Sequence, residues 1–249
     1  MKNSNLWLAL GRNLLISIGI YGALMLLLWG AQAMFDYELL HFSNAAWCVG
    51  IPASIVGVAY ILTIRDPQNF TGFFAGIVMS ILLGVQFLLQ GQIDSTFLYF
   101  FVFIPFQMMS IYKWSRSKGD GGASFETKFL DTPRFWLTIA LFVFITAGDY
   151  VMASLAFLND GLTENITIKL LNGFMISSSF LANYWLIYRK NDAWIYWIIY
   201  SVAGIGLFIL LHNVFSIVLF IFFLFINGSA GVAWIKMTTK ENYGWLIGK

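Results

Sequence analysis

Apolar positions in this chain come in long unbroken runs rather than in alternation. Eight such runs can be drawn, at about 14–35, 44–64, 70–90, 95–112, 135–158, 165–188, 193–211 and 213–235. Each is close to the roughly 20 residues that carry a helix across about 30 Å of hydrocarbon. Strands of a membrane barrel would instead be about ten residues long and alternate strictly. The pattern therefore predicts an all-α integral membrane protein of eight transmembrane helices, since a helix closes its backbone hydrogen bonds within itself and can sit in lipid. Two of the runs contain a charge, Asp149 in the fifth and Lys169 in the sixth.

Composition agrees. Of 249 residues, 59% are hydrophobic and 10% charged, against about 25% charged in a soluble domain. One soluble core of this length could not hide so much apolar surface. The parts between the runs are too short to be domains. The longest, 113–134, holds "GDGG" at 119–122. A phosphate-cradling loop would need a preceding strand and a following Gly-Lys-Ser/Thr, so this reads as a flexible turn and nucleotide-driven pumping by this chain is excluded.

The basic residues set an orientation. If all eight runs cross, Lys2, Arg12, Arg65, Lys113, Arg116, Lys118, Lys128, Arg134, Arg189, Lys190, Lys236, Lys240 and Lys249 share one side. The other side holds Asp36, Glu38, Asp94, Asp160 and Glu164. The excess of Lys and Arg on cytoplasmic loops then places both termini in the cytoplasm. The first run, preceded by Lys2 and Arg12 and ending in "AQA", has some marks of a secretory signal but is longer than a usual signal core, and we read it as a retained helix. Cys48 has no second cysteine to pair with, and His41 and His212 stand too far apart for a metal site of recognisable spacing.

A weak internal duplication is present. "YILTIR" ends the second run at 60–65 and "YWLIYR" the sixth at 184–189. Gln107 precedes Trp114 by seven positions, as Asn227 precedes Trp234. The reading is an N-terminal helix (1–43), a three-helix repeat (44–114), a cytoplasmic linker with a linking helix (115–160), and a second repeat with a cytoplasmic tail (161–249). Repeats four crossings apart run in the same direction, and in such parallel duplications a site commonly forms near the bilayer midplane. Gln107 would then face Asn227 across a pseudo-twofold axis.

Neutral amides are the candidate chemistry. Of the neutral amides, which include Asn183, Gln32, Gln90 and Asn213 lie near run boundaries, whereas Gln86, Gln107, Asn172 and Asn227 lie deeper. Each amide is either glue between helices or a ligand group, offering both donors and an acceptor. With almost no Lys or Arg at depth, a phosphate or carboxylate would lack a counter-charge, so a ligand is neutral or a soft cation. "DAWIYWIIY" at 192–200 puts Trp194, Trp197 and Tyr200 on one helical face. Tryptophans at run ends form an interfacial belt by default, but Trp197 could also stack a planar cation. Asp149 and Lys169 form either an ion pair between helices or part of a proton relay.

"SSSFLANYWLIYRKNDAWIYW" at 177–197 resembles the signature of the PnuC vitamin transporters: a Ser-rich turn, then Ala182-Asn183, an aromatic pair Tyr184-Trp185, Leu186, the basic pair Arg189-Lys190, Asp192, and Trp194 with Trp197. "MSIYKW" at 109–114 and "GVAW" at 231–234 resemble the motifs closing the family's two repeats. The sequence departs from the pattern at Asn172, where an acid is usual, and at Lys113-Trp114, where Gly-Trp is usual. The resemblance implies a parallel 3+1+3 plan, related in architecture to the SWEET sugar transporters, in an inner-membrane protein that is not an enzyme and needs no cofactor. It further implies facilitated diffusion of nicotinamide riboside, trapped by a cytoplasmic nicotinamide riboside kinase that is a functional rather than physical partner. By analogy the assembly is a homotrimer, for which Gly72-x-x-x-Gly76 offers a packing surface. The expected substrate contacts are Gln86, Gln107, Asn172, Asn183, Trp185, Trp197, Tyr200 and Asn227, with no catalytic residue and no metal. The competing readings are a proton-coupled transporter of another nucleoside or sugar using Asp149, a membrane enzyme, and a purely structural membrane protein.

Overall fold

The structure, a computed structural model, describes residues 3–35, 45–89, 93–116, 127–154, 165–212, 214–238 and 242–248. Gln90, Asn213, "GDGG" at 119–122, Asp36, Glu38, His41, Lys118, Asp160, Glu164, Lys2, Lys240 and Lys249 lie outside the described residues, as do the side chains of Gln32 and Asp94. The helices are α1 (Asn3–Phe35), α2 (Ala45–Ile64), α3 (Gly72–Leu89), α4 (Ile93–Leu98), a π-helical segment (Tyr99–Phe103), α5 (Ile104–Arg116), α6 (Thr132–Ser154), α7 (Ile166–Ile187), α8 (Asp192–Leu210) and α9 (Val214–Met237), followed by a 3-10 turn (Gly244–Ile247). Among the described residues, each apolar run read from the sequence falls largely on one of these helices, the fourth shared by α4, the π segment and α5.

Six helical stretches among the described residues are long and apolar enough to cross a membrane: Asn5–Gly30, Gly72–Leu89, Ser95–Arg116, Thr132–Met152, Asp192–Leu210 and Ser216–Met237. Cys48–Ile64 is apolar but shorter. Lys169, Asn172 and the three serines at 177–179 dilute the apolar character of α7. One boundary differs from the sequence reading. α1 starts at Asn3, well ahead of the apolar run, so Arg12 lies inside the helix rather than before it. The Leu and Ala residues of "LWLALGRN" are strong helix formers and extend the helix past the hydrocarbon-length stretch.

The chain divides into two compact units, Met1–Ile64 with Asn69–Ile111, and Arg65–Gln68 with Tyr112–Lys249. In the first, α1 packs on α2, α2 on α3, and α3 on α4 and the π segment. Asn13 on α1 is buried and donates from Nδ2 to Thr63 Oγ1 on α2 at 3.0 Å. The Thr63 hydroxyl donates its own proton to the Ala59 carbonyl, so it meets Asn13 with a lone pair. Gly72 and Gly76 of the Gly72-x-x-x-Gly76 surface are close-packed inside this unit. A Cβ at Gly72 would stand 2.7 Å from Ile64 Cγ2, and one at Gly76 2.8 Å from the Gln107 amide. Bare Cα positions let helices or side chains approach this closely.

In the second unit α6, α7, α8 and α9 pack in chain order. The turn between α7 and α8 is tied down by backbone bonds to the linker, Lys128 N to Arg189 O at 3.3 Å and Asn191 N to Lys128 O at 2.9 Å. The Asp192 carboxylate, at the first residue of α8, accepts from Leu130 N at 2.8 Å and Trp245 Nε1 at 2.7 Å. Trp245 also stacks on Phe135, centroid to centroid 4.1 Å. Arg189 turns the chain at φ 52°, donates to Pro67 O at 3.1 Å and lies over the Trp114 ring at 4.5 Å. Burial pushes its guanidinium down to about 10, so it stays charged at neutral pH.

The two tryptophans that mark the duplication do the same work. Trp114 Nε1 donates to Leu186 O at 3.1 Å, in the last turn of α7, and Trp234 Nε1 donates to Arg65 O at 2.9 Å, just past α2. Carbonyls at helix C-termini lack an intrahelical i+4 donor; the indole adds a donor to each of these two, at Leu186 O beside the Arg189 N–H that it also accepts.

Candidate substrate site

In the first unit the site residues stand on α2, α3 and α5. Pro105 follows the π segment and has no N–H to give. Just before it, Ile104 N–H reaches back to Tyr99 O, a five-residue step in place of four. Such π-bulges shift the register of the residues that follow and recur at functional sites. Gln107 comes next on the buried side of α5, 1% exposed, with its Nε2 donating to Tyr60 Oη on α2 at 3.4 Å and its amide plane against Gly76 on α3. Gln86 on α3 follows the same design: its amide lies where a Cβ at Gly50 on α2 would be 2.9 Å from both Nε2 and Oε1. Two glycines thus make room for two amides.

In the second unit Trp197, Tyr200 and Asn227 come together between α8 and α9. Asn227 is 1% exposed and donates from Nδ2 to Ser201 Oγ at 3.1 Å and towards Trp197 O at 3.4 Å. The Trp197 and Tyr200 rings meet edge to face at 5.4 Å. Among the described residues, Asn227 Oδ1 and Trp197 Nε1 are buried without a hydrogen-bond partner. Trp194 does not lie in an interfacial belt: it is buried, with its ring edge-on to Trp234 at 5.3 Å and its Cβ close to Gly231.

Three other expected site residues, all on α7, have contacts of their own. Asn172, half-buried, donates to Asp149 Oδ2 on α6 at 3.3 Å. Asn183 is buried and bonds back to Ser179 O in its own helix at 2.8 Å. Trp185 packs edge-on to Tyr184 at 4.9 Å, with its Nε1 buried and lacking a partner among the described residues. Lys169 donates to Ser154 Oγ at 3.4 Å while Asp149 accepts from Asn172, so the two charges are drawn to different partners. Residues that sequence reasoning missed are Tyr60, Ser201, Gly50 and Gly76. Tyr60 opens "YILTIR" and Ser201 directly follows "DAWIYWIIY", so one stands within a sequence motif and the other beside one.

The electrostatics are simple. Among the described residues the one buried side chain with a charge is Asp192, at the very start of α8. The buried polar groups within the helices are amides, hydroxyls and indoles. They can hydrogen-bond a solute and stack a ring, and they present no fixed charge to an anion.

Membrane-length helices around uncharged buried polar groups mark a multi-pass membrane protein. Within that class the chain belongs to the family described as nicotinamide mononucleotide transporter, which matches residues 47–236. Its fold is similar to that of a solved structure described as the crystal structure of the vitamin B3 transporter PnuC, with a TM-score of 0.62 and 18% identity over 94% of this chain and 92% of that one. No curated protein matches the chain. The resemblance to the PnuC transporters drawn from residues 177–197 is borne out by the family match.

Proposed function

We propose that this transporter carries nicotinamide riboside by facilitated diffusion, and that a cytoplasmic kinase traps the nucleoside as its phosphate. The observation that carries the reading is the neutral character of the buried polar side chains, with no Lys or Arg among those buried in the described residues. The family's description names the mononucleotide, which differs from the riboside by a 5′-phosphate. Burying a phosphate without a paired cation is strongly unfavourable. The riboside needs none, and its pyridinium ring gains about 0.5–2 kcal/mol over an indole face.

In this reading the chain crosses the inner membrane eight times with both termini in the cytoplasm, as the positive-inside count supports. An N-terminal helix (1–43) precedes two parallel three-helix repeats (44–114 and 161–249) joined by the linking helix. Gln86 and Gln107 of the first repeat, and Asn172, Asn183, Trp185, Trp197, Tyr200 and Asn227 of the second, contact the substrate. The homotrimer remains an analogy with the family.

Uptake of labelled nicotinamide riboside into proteoliposomes tests the mechanism. The label should equilibrate to equal concentrations inside and out, and exceed that level only when a riboside kinase and ATP are enclosed. A proton gradient should leave the initial rate unchanged. Accumulation driven by the proton gradient alone would instead favour coupling through Asp149, which faces Asn172 across α6 and α7.

A further inference from the structure

Asn227 cannot present either end of its amide at will. The Trp197 carbonyl, 3.4 Å away, only accepts, so the group facing it is the NH2. Ser201 imposes the same choice more firmly. Its hydroxyl donates to Trp197 O at 2.8 Å, which commits its one proton and leaves a lone pair for Asn227 Nδ2 at 3.1 Å. A carbonyl turned towards Ser201 would meet that lone pair. Both constraints hold the amide in one orientation and leave Oδ1, in a side chain 1% exposed, as an acceptor with no partner among the described residues.

We propose that Ser201 is a positioning residue that locks Asn227 with Oδ1 towards the substrate, and so selects a carboxamide over a carboxylate. This rests on the reading that the substrate bears a nicotinamide ring. A carboxamide NH2 satisfies Oδ1, whereas a carboxylate brings only acceptors and faces it with like partial charge. A site built to receive a donor rejects an analogue lacking one, because its own buried acceptor stays unpaired. The riboside and the mononucleotide carry the same carboxamide, so the inference is independent of the phosphate. Of the two contacts on Nδ2, that to Trp197 O is long for an N–H···O bond. Without the Ser201 hydroxyl it does not hold the amide, and Asn227 is free to flip and donate to a carboxylate.

The test is a titration of purified full-length protein with nicotinamide riboside and with nicotinic acid riboside, for the wild type, Ser201→Ala and Ser201→Thr. The wild type should prefer the amide by about five- to 150-fold, the range for orphaning one buried hydrogen-bonding group. Ser201→Ala should bring the two ligands to within about threefold, half a decade in affinity, chiefly by improving the acid, and Ser201→Thr should restore the preference. A Ser201→Ala variant that binds both ligands more weakly with the ratio kept, or that changes nothing, overturns the positioning role and leaves the substrate reading intact. A wild type that binds both equally overturns it without any variant, and where Ser201→Ala folds poorly, Ser201→Val, the isostere of the Thr variant without its hydroxyl, is read against Ser201→Thr with the same two expectations. A wild type that binds neither overturns the substrate reading and this inference with it.

Discussion

The amide of Gln107 lies against Gly76 so closely that a Cβ there would stand 2.8 Å from both its Cδ and its Oε1. The glycine is the seat of the glutamine. The same side chain donates to Tyr60 Oη, so three helices converge on one neutral polar group held in a fixed place.

Gly76→Ala should therefore act on binding through Gln107. The added methyl pushes on the far end of a flexible side chain, which can move aside, so the fold survives while the amide leaves Tyr60. A roughly tenfold loss of nicotinamide riboside affinity is expected, within the range for misplacing one buried hydrogen bond. Calorimetric titration beside a thermal melt measures both effects.

Gln107→Leu separates ligand group from helix glue. Leucine suits hydrocarbon at least as well as glutamine, so a substrate contact predicts weaker binding, by about five- to 150-fold, in a stable protein. A lowered melting temperature with unchanged affinity in the surviving folded protein would mean that the amide only joins α5 to α2.

Trp245→Phe should do the reverse. It removes the indole donor from Asp192 Oδ1 while Leu130 N still holds Oδ2. Leaving a buried carboxylate short of one donor costs about 1–3 kcal/mol. The melting temperature should fall and the affinity of the folded protein should not, since Asp192 ties the α7–α8 turn to the linker and the tail. An unchanged melt would show that the tail contact contributes nothing to stability.

The proposed topology is open to cysteine labelling. In a Cys48→Ser background, cysteines at Asp94 and Asp160 should react with an impermeant reagent applied from outside whole cells, and one at Lys118 should not. The opposite pattern would invert the orientation drawn from the basic residues.

Helix positions were legible because apolar runs of membrane length have few other uses. That Gln107 and Asn227 sit inside the protein was legible, and both are buried in the structure. Orientation of those amides was not. It depends on Tyr60, 47 residues from Gln107, and on Ser201, 26 from Asn227, and no local pattern reports such pairs. Gly76 read as a packing position, since sequence does not say whether a helix or an amide fills the space a glycine leaves. Trp194 read as a belt residue because its place at a run end is the usual one; only the packing of Gly231 and Trp234 around it draws it inside. Pro105 was visible, but the five-residue backbone step ahead of it was not, because several local adjustments can absorb a missing N–H.

The central claim is that the buried polar groups accept a nucleoside and exclude its phosphate. Parallel titration of the purified transporter with nicotinamide riboside and nicotinamide mononucleotide tests it most directly. The riboside should bind, and the mononucleotide should bind at least about a hundredfold more weakly, the equivalent of roughly 2.8 kcal/mol. Equal affinity for the two, or preference for the mononucleotide, would contradict it.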